Sequence, residues 1–207
     1  MADVRDTAYV NLRRAVSLLV NGNSVAFPTD TVYALGAPVN YISCVQKVFD
    51  IKQRPMNQPL PLLLGAERDV DLVACDISDV ARQMMHDLWP GALTLVLRKK
   101  PFVPDIVTAG QPTIGVRMAD HPVTIDIIKW VDVPVVGTSA NIHGLPSPLT
   151  ACEVESQIGD KVDLIIDGGK TPGGVESTIL DMSTDMPRIL RQGAVPREVL
   201  QKYCSIY

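Results

Sequence analysis

The chain has 207 residues, of which 46% are hydrophobic and 20% are charged, and its formal net charge at pH 7 is −4. This length can bury the core of one sizeable domain, and the mild negative charge argues against a protein that coats nucleic acid through bulk positive charge. No apolar run reaches the roughly 20 residues of a membrane span, and the start, MADVRDTAYV, lacks a signal-peptide region, so we expect a cytoplasmic protein without membrane contact.

Helical and extended patterns alternate along the chain. Apolar residues at helical spacing predict a first helix over 6–21, and the stretch 24–29 predicts a strand, followed by a loop over 30–40. A second helix is predicted over 44–52, capped by Ser43 and ended before Pro55. The later predicted elements are strand 59–65, helix 77–89, strands 92–100 and 113–119, helix 123–131, strand 133–140, helix 151–159, strands 163–169, 177–183 and 188–194, and helix 197–203.

This alternation predicts an α/β fold with an open mixed sheet flanked by helices. Short connections such as 110–112 favour antiparallel neighbours, whereas the longer helical connections allow parallel crossovers. The sequence contains no internal repeat, low-complexity tract or linker. We therefore expect a single domain over residues 1–207.

Two cations, Lys52 and Arg54, lie two residues apart at the predicted end of the second helix. Because Pro55 forces the chain out of the helix, both side chains can reach one anion from the same corner. The alternative is a solvated pair that the helix C-terminal dipole favours. Arg117 and Arg191 lie on otherwise apolar strands, where each guanidinium either pairs with a carboxylate or faces a ligand.

Small polar side chains follow several predicted strands. Thr138, Ser139 and Asn141 come at the end of a buried strand, with Ser147 soon after, and this pattern suits a nucleotide or phosphate site. The alternative is a turn that caps the helix near Thr150. The stretch PTDT leaves the same choice open between a polar ligand and a turn, and Ser177 and Thr178 begin another strand.

The commonest catalytic motifs are missing from the sequence. It contains neither a P-loop nor a GxGxxG fingerprint, and it lacks a GxSxG nucleophile motif. The four cysteines are far apart and form no CxxC pair, so neither a zinc site nor a disulfide framework is predicted.

Taken together, these segments resemble the YrdC-like family of threonylcarbamoyl-AMP synthases. The resemblance runs from about Ser24 to Ala194, and its paired KxR and SxN signature is matched by Lys52 and Arg54 with Ser139 and Asn141. The blocks that carry it, in order, are PTDTVYALG, KQRPMNQPL, WPGALTLVL, TIGVRMADHP, TSANIHGLPSP, IDGG, ESTILD and ILRQGAV.

The resemblance implies an open, twisted sheet with a concave, locally basic ligand-binding face. It also implies a nucleotidyltransferase that joins L-threonine, bicarbonate and ATP into threonylcarbamoyl adenylate and pyrophosphate, for the threonylcarbamoyladenosine modification of tRNA. Magnesium would arrive with ATP, without a protein cage or a tightly bound organic cofactor. The tRNA and the transferase complex would be indirect partners.

The same resemblance implies residue roles. Lys52, Arg54, Ser139 and Asn141 would carry catalysis by positioning and charge stabilisation. ATP would be held by Lys52, Arg54, Gln58, Thr113, Ser139, Asn141, Ser147 and Arg191, and threonine by Thr31, Leu63, Arg117 and Ser177. The chain departs from the usual family residues at Ala34, Gln53, Gln58, Leu63 and Gln192.

Two other functions stay open at this stage. One is the carbamoyl-adenylate activity of hydrogenase-maturation proteins, whose YrdC-like module normally lies in a much longer chain. The other is a non-catalytic module for tRNA or double-stranded RNA, which would use Lys52, Arg54, Arg98, Lys99 and Lys100. Since the chain ends soon after the signature region, we expect the short form without a second C-terminal domain.

Overall fold

The computed structural model describes residues 4–207, with side chains described from residue 11 onward. The helices are α1 Val4–Val20, α2 Ile42–Lys52, α3 Val70–Val73, α4 Asp79–Leu88, α5 Asp105–Thr108, α6 Pro122–Val131, α7 Ala151–Ile158 and α8 Arg197–Leu200. The strands are β1 Val25–Phe27, β2 Ala34–Pro38, β3 Leu62–Leu63, β4 Ala74–Cys75, β5 Leu93–Lys99, β6 Thr113–Arg117, β7 Val135–Ser139, β8 Leu164–Ile165, β9 Thr178–Asp181 and β10 Arg188–Arg191.

Local sequence explains where several helices begin and end. The Ser78 hydroxyl accepts a hydrogen bond from the Ala81 amide and caps α4, while Thr150 and Glu153 form a capping box at α7. The predicted Ser43 cap of α2 is wrong, because the helix begins at Ile42, directly after Tyr41. At the other end of α2, Gln53 adopts a left-handed conformation with φ of 51°, which turns the chain sharply after Lys52.

The strands form one mixed sheet in the order β10-β9-β5-β6-β3-β7-β2-β1-β8, and β4 pairs with β5 at its side. The pairs β1/β8, β3/β6 and β5/β9 are parallel. The other pairs are antiparallel, including β5 with β6, whose connection contains 110–112. The prediction of an α/β fold with an open mixed sheet is confirmed.

Both faces of the sheet are covered, since successive residues of one strand belong to different apolar clusters. In β3, Leu62 packs in the larger cluster and Leu63 in the smaller one, as period-two alternation requires. The smaller cluster contains residues of α1 and α6, and the larger one contains residues of α2 and α4. No described helix is long and apolar enough to cross a membrane.

The largest difference from the predicted elements is β2, which lies in the stretch predicted as a loop. Its residues are all buried, and it pairs with β1 on one side and β7 on the other. Glycine and proline in this stretch gave a loop-like pattern, whereas the flanking strands supply the hydrogen bonds that make it a strand. Conversely, β3 is much shorter than predicted, because Pro59 and Pro61 lack the amide hydrogen that a ladder needs.

Candidate functional site

A cavity of about 360 Å³ lies on the sheet face that also packs against α1 and α6. Leu63 and Ala34 belong to the apolar cluster of that face and line the cavity as well. The lining includes Thr31, Lys52, Arg54, Leu63, Arg117, Ser139, Asn141, Ser147, Ser177 and Arg191, all of which the sequence singled out. The structure therefore brings together residues from most of the chain.

We divide the cavity into two adjoining ends. The Lys52 end comprises Lys52, Arg54, Ser139, Asn141, Ser147, Glu176 and Arg191. The Arg117 end comprises Thr29, Thr31, Leu63, Thr94, Arg117 and Ser177. Arg191 joins the two ends, because its Nη2 atom lies 3.2 Å from the Ser177 hydroxyl.

Lys52 is almost wholly buried at the end of α2 and reaches across to the loop after β7. Its Nζ donates to the Ser139 carbonyl at 2.5 Å, the Asn141 carbonyl at 2.9 Å and Asn141 Oδ1 at 2.9 Å. Asn141 Oδ1 also accepts from the Ser139 hydroxyl at 2.7 Å. The KxR and SxN segments are therefore bonded to each other, and Lys52 fixes the loop that carries Ser139 and Asn141.

The environment of Lys52 changes its protonation. Burial and the nearby Arg54 guanidinium lower the pKa of Lys52 to about 7, and the Glu176 carboxylate opposes that shift. An anion bound at this end would favour the ammonium form and raise the pKa again. Binding of an anion here would therefore be accompanied by proton uptake near neutral pH.

Arg54 and Arg191 are the other two cations of the Lys52 end. Arg54 donates from Nη2 to the Pro59 carbonyl at 3.0 Å and from Nε to the Gln58 carbonyl at 3.3 Å. Arg191 donates from Nε to the Ser177 carbonyl at 3.1 Å and forms an ion pair with Glu176. Both guanidinium groups are therefore held at the cavity wall by fixed partners.

Arg117 is buried at the end of β6 and has its own counter-ion. Its Nη2 atom lies 2.5 Å from Asp30 Oδ1, its Nη1 atom donates to the Thr31 hydroxyl at 3.1 Å, and Nε donates to the Gly91 carbonyl at 2.9 Å. Burial lowers the pKa of Arg117, although Asp30 opposes the shift, and the group stays charged because the ordinary pKa of arginine is very high. Each terminal nitrogen carries a second proton, which can donate to a ligand carboxylate.

The strand register places an apolar side chain beside this guanidinium. Leu63 pairs with Arg117 across β3 and β6, so both side chains lie on one face of the sheet. Gly137 makes room for Leu63, because a Cβ atom at position 137 would lie 2.4 Å from the leucine side chain. The Arg117 end therefore offers a carboxylate site next to an apolar wall.

Hydroxyl groups complete the Arg117 end. The Thr29 and Thr31 hydroxyls lie 3.0 Å apart, and those of Thr94 and Ser177 lie 2.8 Å apart. Such groups can donate a hydrogen bond to a ligand hydroxyl or accept one from it. A ligand without that hydroxyl would leave them without a partner in a buried site, which would weaken its binding.

Two residues with predicted ATP contacts do not line the cavity. Thr113 lies at the start of β6 and pairs with Arg98, at the opposite end of the strand from Arg117. Gln58 lies beside the cavity, where its side-chain nitrogen is 3.4 Å from His143 Nε2, and His143 does line it. The structure thus separates Thr113 from the other predicted residues.

Several residues of the site were missed by the sequence reasoning. Glu176, Thr94 and His143 line the cavity. Asp30, in the stretch PTDT, is the counter-ion of Arg117, which the sequence did not indicate. Glu176 directly precedes the Ser-Thr pair of a predicted strand, but only the cations that it faces across the fold indicate its role. Within the described residues, no group of three or more His, Cys, Asp or Glu side chains is placed to hold a metal ion.

Known proteins with similar sequences share one family. A family model described as "Telomere recombination", which covers Sua5, YciO and YrdC, matches residues 17–193. The chain is 39% identical to the threonylcarbamoyl-AMP synthase of Pyrococcus abyssi, across 92% of this chain and 56% of that protein. The Bacillus subtilis synthase is 37% identical, across 96% of this chain and 59% of its own length. This chain thus spans little more than half the length of these two relatives.

A shorter relative is covered almost completely. The putative threonylcarbamoyl-AMP synthase of Methanocaldococcus jannaschii is 35% identical over 89% of this chain and 86% of its own length.

Solved structures agree with the sequence comparisons. Pyrococcus abyssi Sua5 complexed with L-threonine is similar with a TM-score of 0.91 at 38% identity, across 95% of this chain and 58% of that one. Escherichia coli YciO has a TM-score of 0.82 at 24% identity, over 91% of each chain, and shares the fold. The chain therefore belongs to the Sua5/YciO/YrdC family.

Proposed function

We propose that this protein is a threonylcarbamoyl-AMP synthase, an enzyme that forms threonylcarbamoyl adenylate and pyrophosphate from L-threonine, bicarbonate and ATP. The observation that carries the proposal is that three cations with serine and asparagine groups share one cavity with a carboxylate-binding arginine. Relatives at 37–39% identity carry the synthase name, and a Sua5 structure is a complex with L-threonine. The product would serve the threonylcarbamoyladenosine modification of tRNA.

The chemistry needs positioning and charge stabilisation more than it needs a nucleophilic side chain. The threonine amine and bicarbonate form a carbamate with loss of water. A carbamate oxygen then attacks the α-phosphorus of ATP, and the bond to the leaving pyrophosphate breaks. Lys52, Arg54 and Arg191 would stabilise the negative charge of the phosphates at their end of the cavity.

Threonine would lie at the Arg117 end, with its carboxylate on the two remaining guanidinium protons. The apolar wall of Leu63 suits the methyl group, and the neighbouring hydroxyls suit the side-chain hydroxyl. This arrangement brings the amine towards the Lys52 end, where holding both substrates in one cavity removes much of the entropic cost of their encounter.

Magnesium on the triphosphate fits the Lys52 end. Mg²⁺ is usually bound through one or two carboxylates together with substrate phosphates, and Glu176 supplies a carboxylate there. The ion would neutralise part of the phosphate charge. Arg54 and Arg191 would hold the remaining phosphate oxygens, and Lys52, whose three donors bind Ser139 and Asn141, would contribute its charge.

The test is product formation by the purified chain with each substrate omitted in turn. We expect the adenylate and pyrophosphate to appear only when threonine, bicarbonate, ATP and Mg²⁺ are all present. Equal adenylate formation without threonine would instead favour the carbamoyl-adenylate alternative. RNA binding without any adenylate formation would favour the non-catalytic module.

A further inference from the structure

Glu176 is the one carboxylate among the described residues that line the cavity. One of its oxygens accepts a hydrogen bond from the Ser147 hydroxyl at 2.7 Å, and the other pairs with the Arg191 guanidinium. Its charge also raises the pKa values of Lys52 and Arg54, against the burial that lowers them. Glu176 is therefore paired with Arg191 and acts electrostatically on the other two cations of the Lys52 end.

The backbone of Glu176 is held firmly in this position. Its carbonyl accepts a hydrogen bond from the Ala194 amide at 2.9 Å. The turn after β10 packs closely on the same oxygen, because a Cβ atom at Gly193 would lie 2.3 Å from it. The carboxylate can change its rotamer, but the residue cannot withdraw from the cavity without breaking this packing.

A carboxylate at this position disfavours the binding of a polyphosphate that carries no metal ion. It cancels one of the three positive charges and would repel any uncomplexed phosphate that reaches Arg191. A divalent cation on the phosphates reverses the sign of this interaction, since the cation attracts phosphate and carboxylate oxygens alike.

We propose that Glu176 makes the site select metal-complexed ATP over free ATP. The proposal rests on the proposed function, because it assumes that ATP phosphates enter the Lys52 end. A purely structural role of Glu176, in which it only holds Ser147 and Arg191, would affect both forms of ATP equally. The ratio of the two dissociation constants therefore separates the two roles.

The experiment is calorimetric titration of ATP, once with excess Mg²⁺ and once with a chelator, in the wild type and Glu176→Gln. We expect the glutamine variant to bind metal-free ATP about tenfold more tightly, a difference of about 1.4 kcal/mol, with a much smaller change for Mg·ATP. Glu176→Asp, which keeps the charge, should retain the wild-type preference for Mg·ATP. Glu155→Gln, at an exposed position of α7, is the matched control and should behave as the wild type.

An unchanged ratio in Glu176→Gln, whether both affinities fall together or neither moves, would overturn the proposal. Thermal unfolding checks that the variant is folded, and Glu176→Ala provides a second uncharged side chain with the same expected ratio. If the wild type binds ATP in neither condition, the proposed function fails. If it binds ATP with a ratio that Glu176 does not control, only the present inference fails.

Discussion

At the Arg117 end of the cavity, the arginine has a counter-ion of its own, Asp30. At the Lys52 end, three cations have a single carboxylate, Glu176, among them, and this carboxylate lines the space that a ligand would enter. Asp30 pairs with Arg117 from outside the lining, so the guanidinium is fixed before any ligand arrives. Glu176 lies in the lining itself. Under the proposed function, the Arg117 end would be preorganised for one carboxylate, and the groups of the Lys52 end would exchange partners when phosphates bind.

The largest expected effect comes from Lys52, which connects both signature segments. Lys52→Ala removes the donor to Ser139 and Asn141 and one charge beside the phosphates, so we expect adenylate formation to fall on the order of 10³-fold. Lys47→Ala on the same helix, where the lysine pairs with Asp163 at the surface, is the control and should retain activity. Wild-type turnover in folded Lys52→Ala would contradict the role given to this end.

The importance of Asp30 as the counter-ion of Arg117 can be tested by measuring the free energy of unfolding. Asp30→Ala leaves the Arg117 guanidinium buried without its ion partner, so we expect the free energy of unfolding to fall by about 3 kcal/mol. Denaturant titration measures this change, and the exposed Asp126→Ala should alter stability by less than about 0.5 kcal/mol. An Asp30 variant as stable as the wild type would show that Arg117 has no need of that carboxylate.

ATP affinity at the Lys52 end should depend on pH. Because the pKa of Lys52 is about 7, the free protein loses this proton as the pH rises through neutrality, while bound phosphates favour the protonated form. We expect ATP affinity to fall about tenfold between roughly pH 7 and pH 8.5, with proton uptake on binding. Calorimetry in buffers of different ionisation enthalpy measures both quantities. Lys52→Arg, which stays charged, should give a flat profile, and a flat wild-type profile would be inconsistent with this account.

The smallest effect is expected at Thr113, for which the family resemblance implies a contact with ATP but which does not line the cavity. Since it lies at the far end of β6, Thr113→Val should change the KM for ATP by less than about twofold. Ser147→Ala, within the lining, is the matched comparison and should raise that KM more. A large increase in Thr113→Val alone would place the nucleotide differently.

Much of the fold could be predicted from local patterns. The helices α4, α6 and α7 have apolar residues at helical spacing, and β5 has an apolar run typical of a strand. The pattern of β2 was misleading, since small residues with glycine and proline form a strand only when β1 and β7 lie on either side. The signature residues Lys52, Arg54, Ser139 and Asn141 were evident from sequence. The direct bonding of Lys52 to Asn141 was not, because it depends on where α2 meets the end of β7.

The ion pairs of the site could not be predicted from the sequence either. The sequence left open whether Arg117 and Arg191 pair with carboxylates or face a ligand, and the structure shows each paired at the edge of the cavity. Asp30 lies far from Arg117 in sequence, and three strands separate β1 from β6 in the sheet, so only the folded path of the loop after β1 brings Asp30 to Arg117. Spacing along the chain cannot reveal such a partner.

The central claim is that the two ends hold different substrates, and paired binding measurements test it most directly. Calorimetry would measure threonine and Mg·ATP binding separately in Arg117→Ala and Arg54→Ala. We expect Arg117→Ala to lose threonine affinity by at least about tenfold while it retains ATP, and Arg54→Ala to show the reverse. If both variants lost both ligands equally, or if neither lost its own, the assignment of the two ends would be wrong.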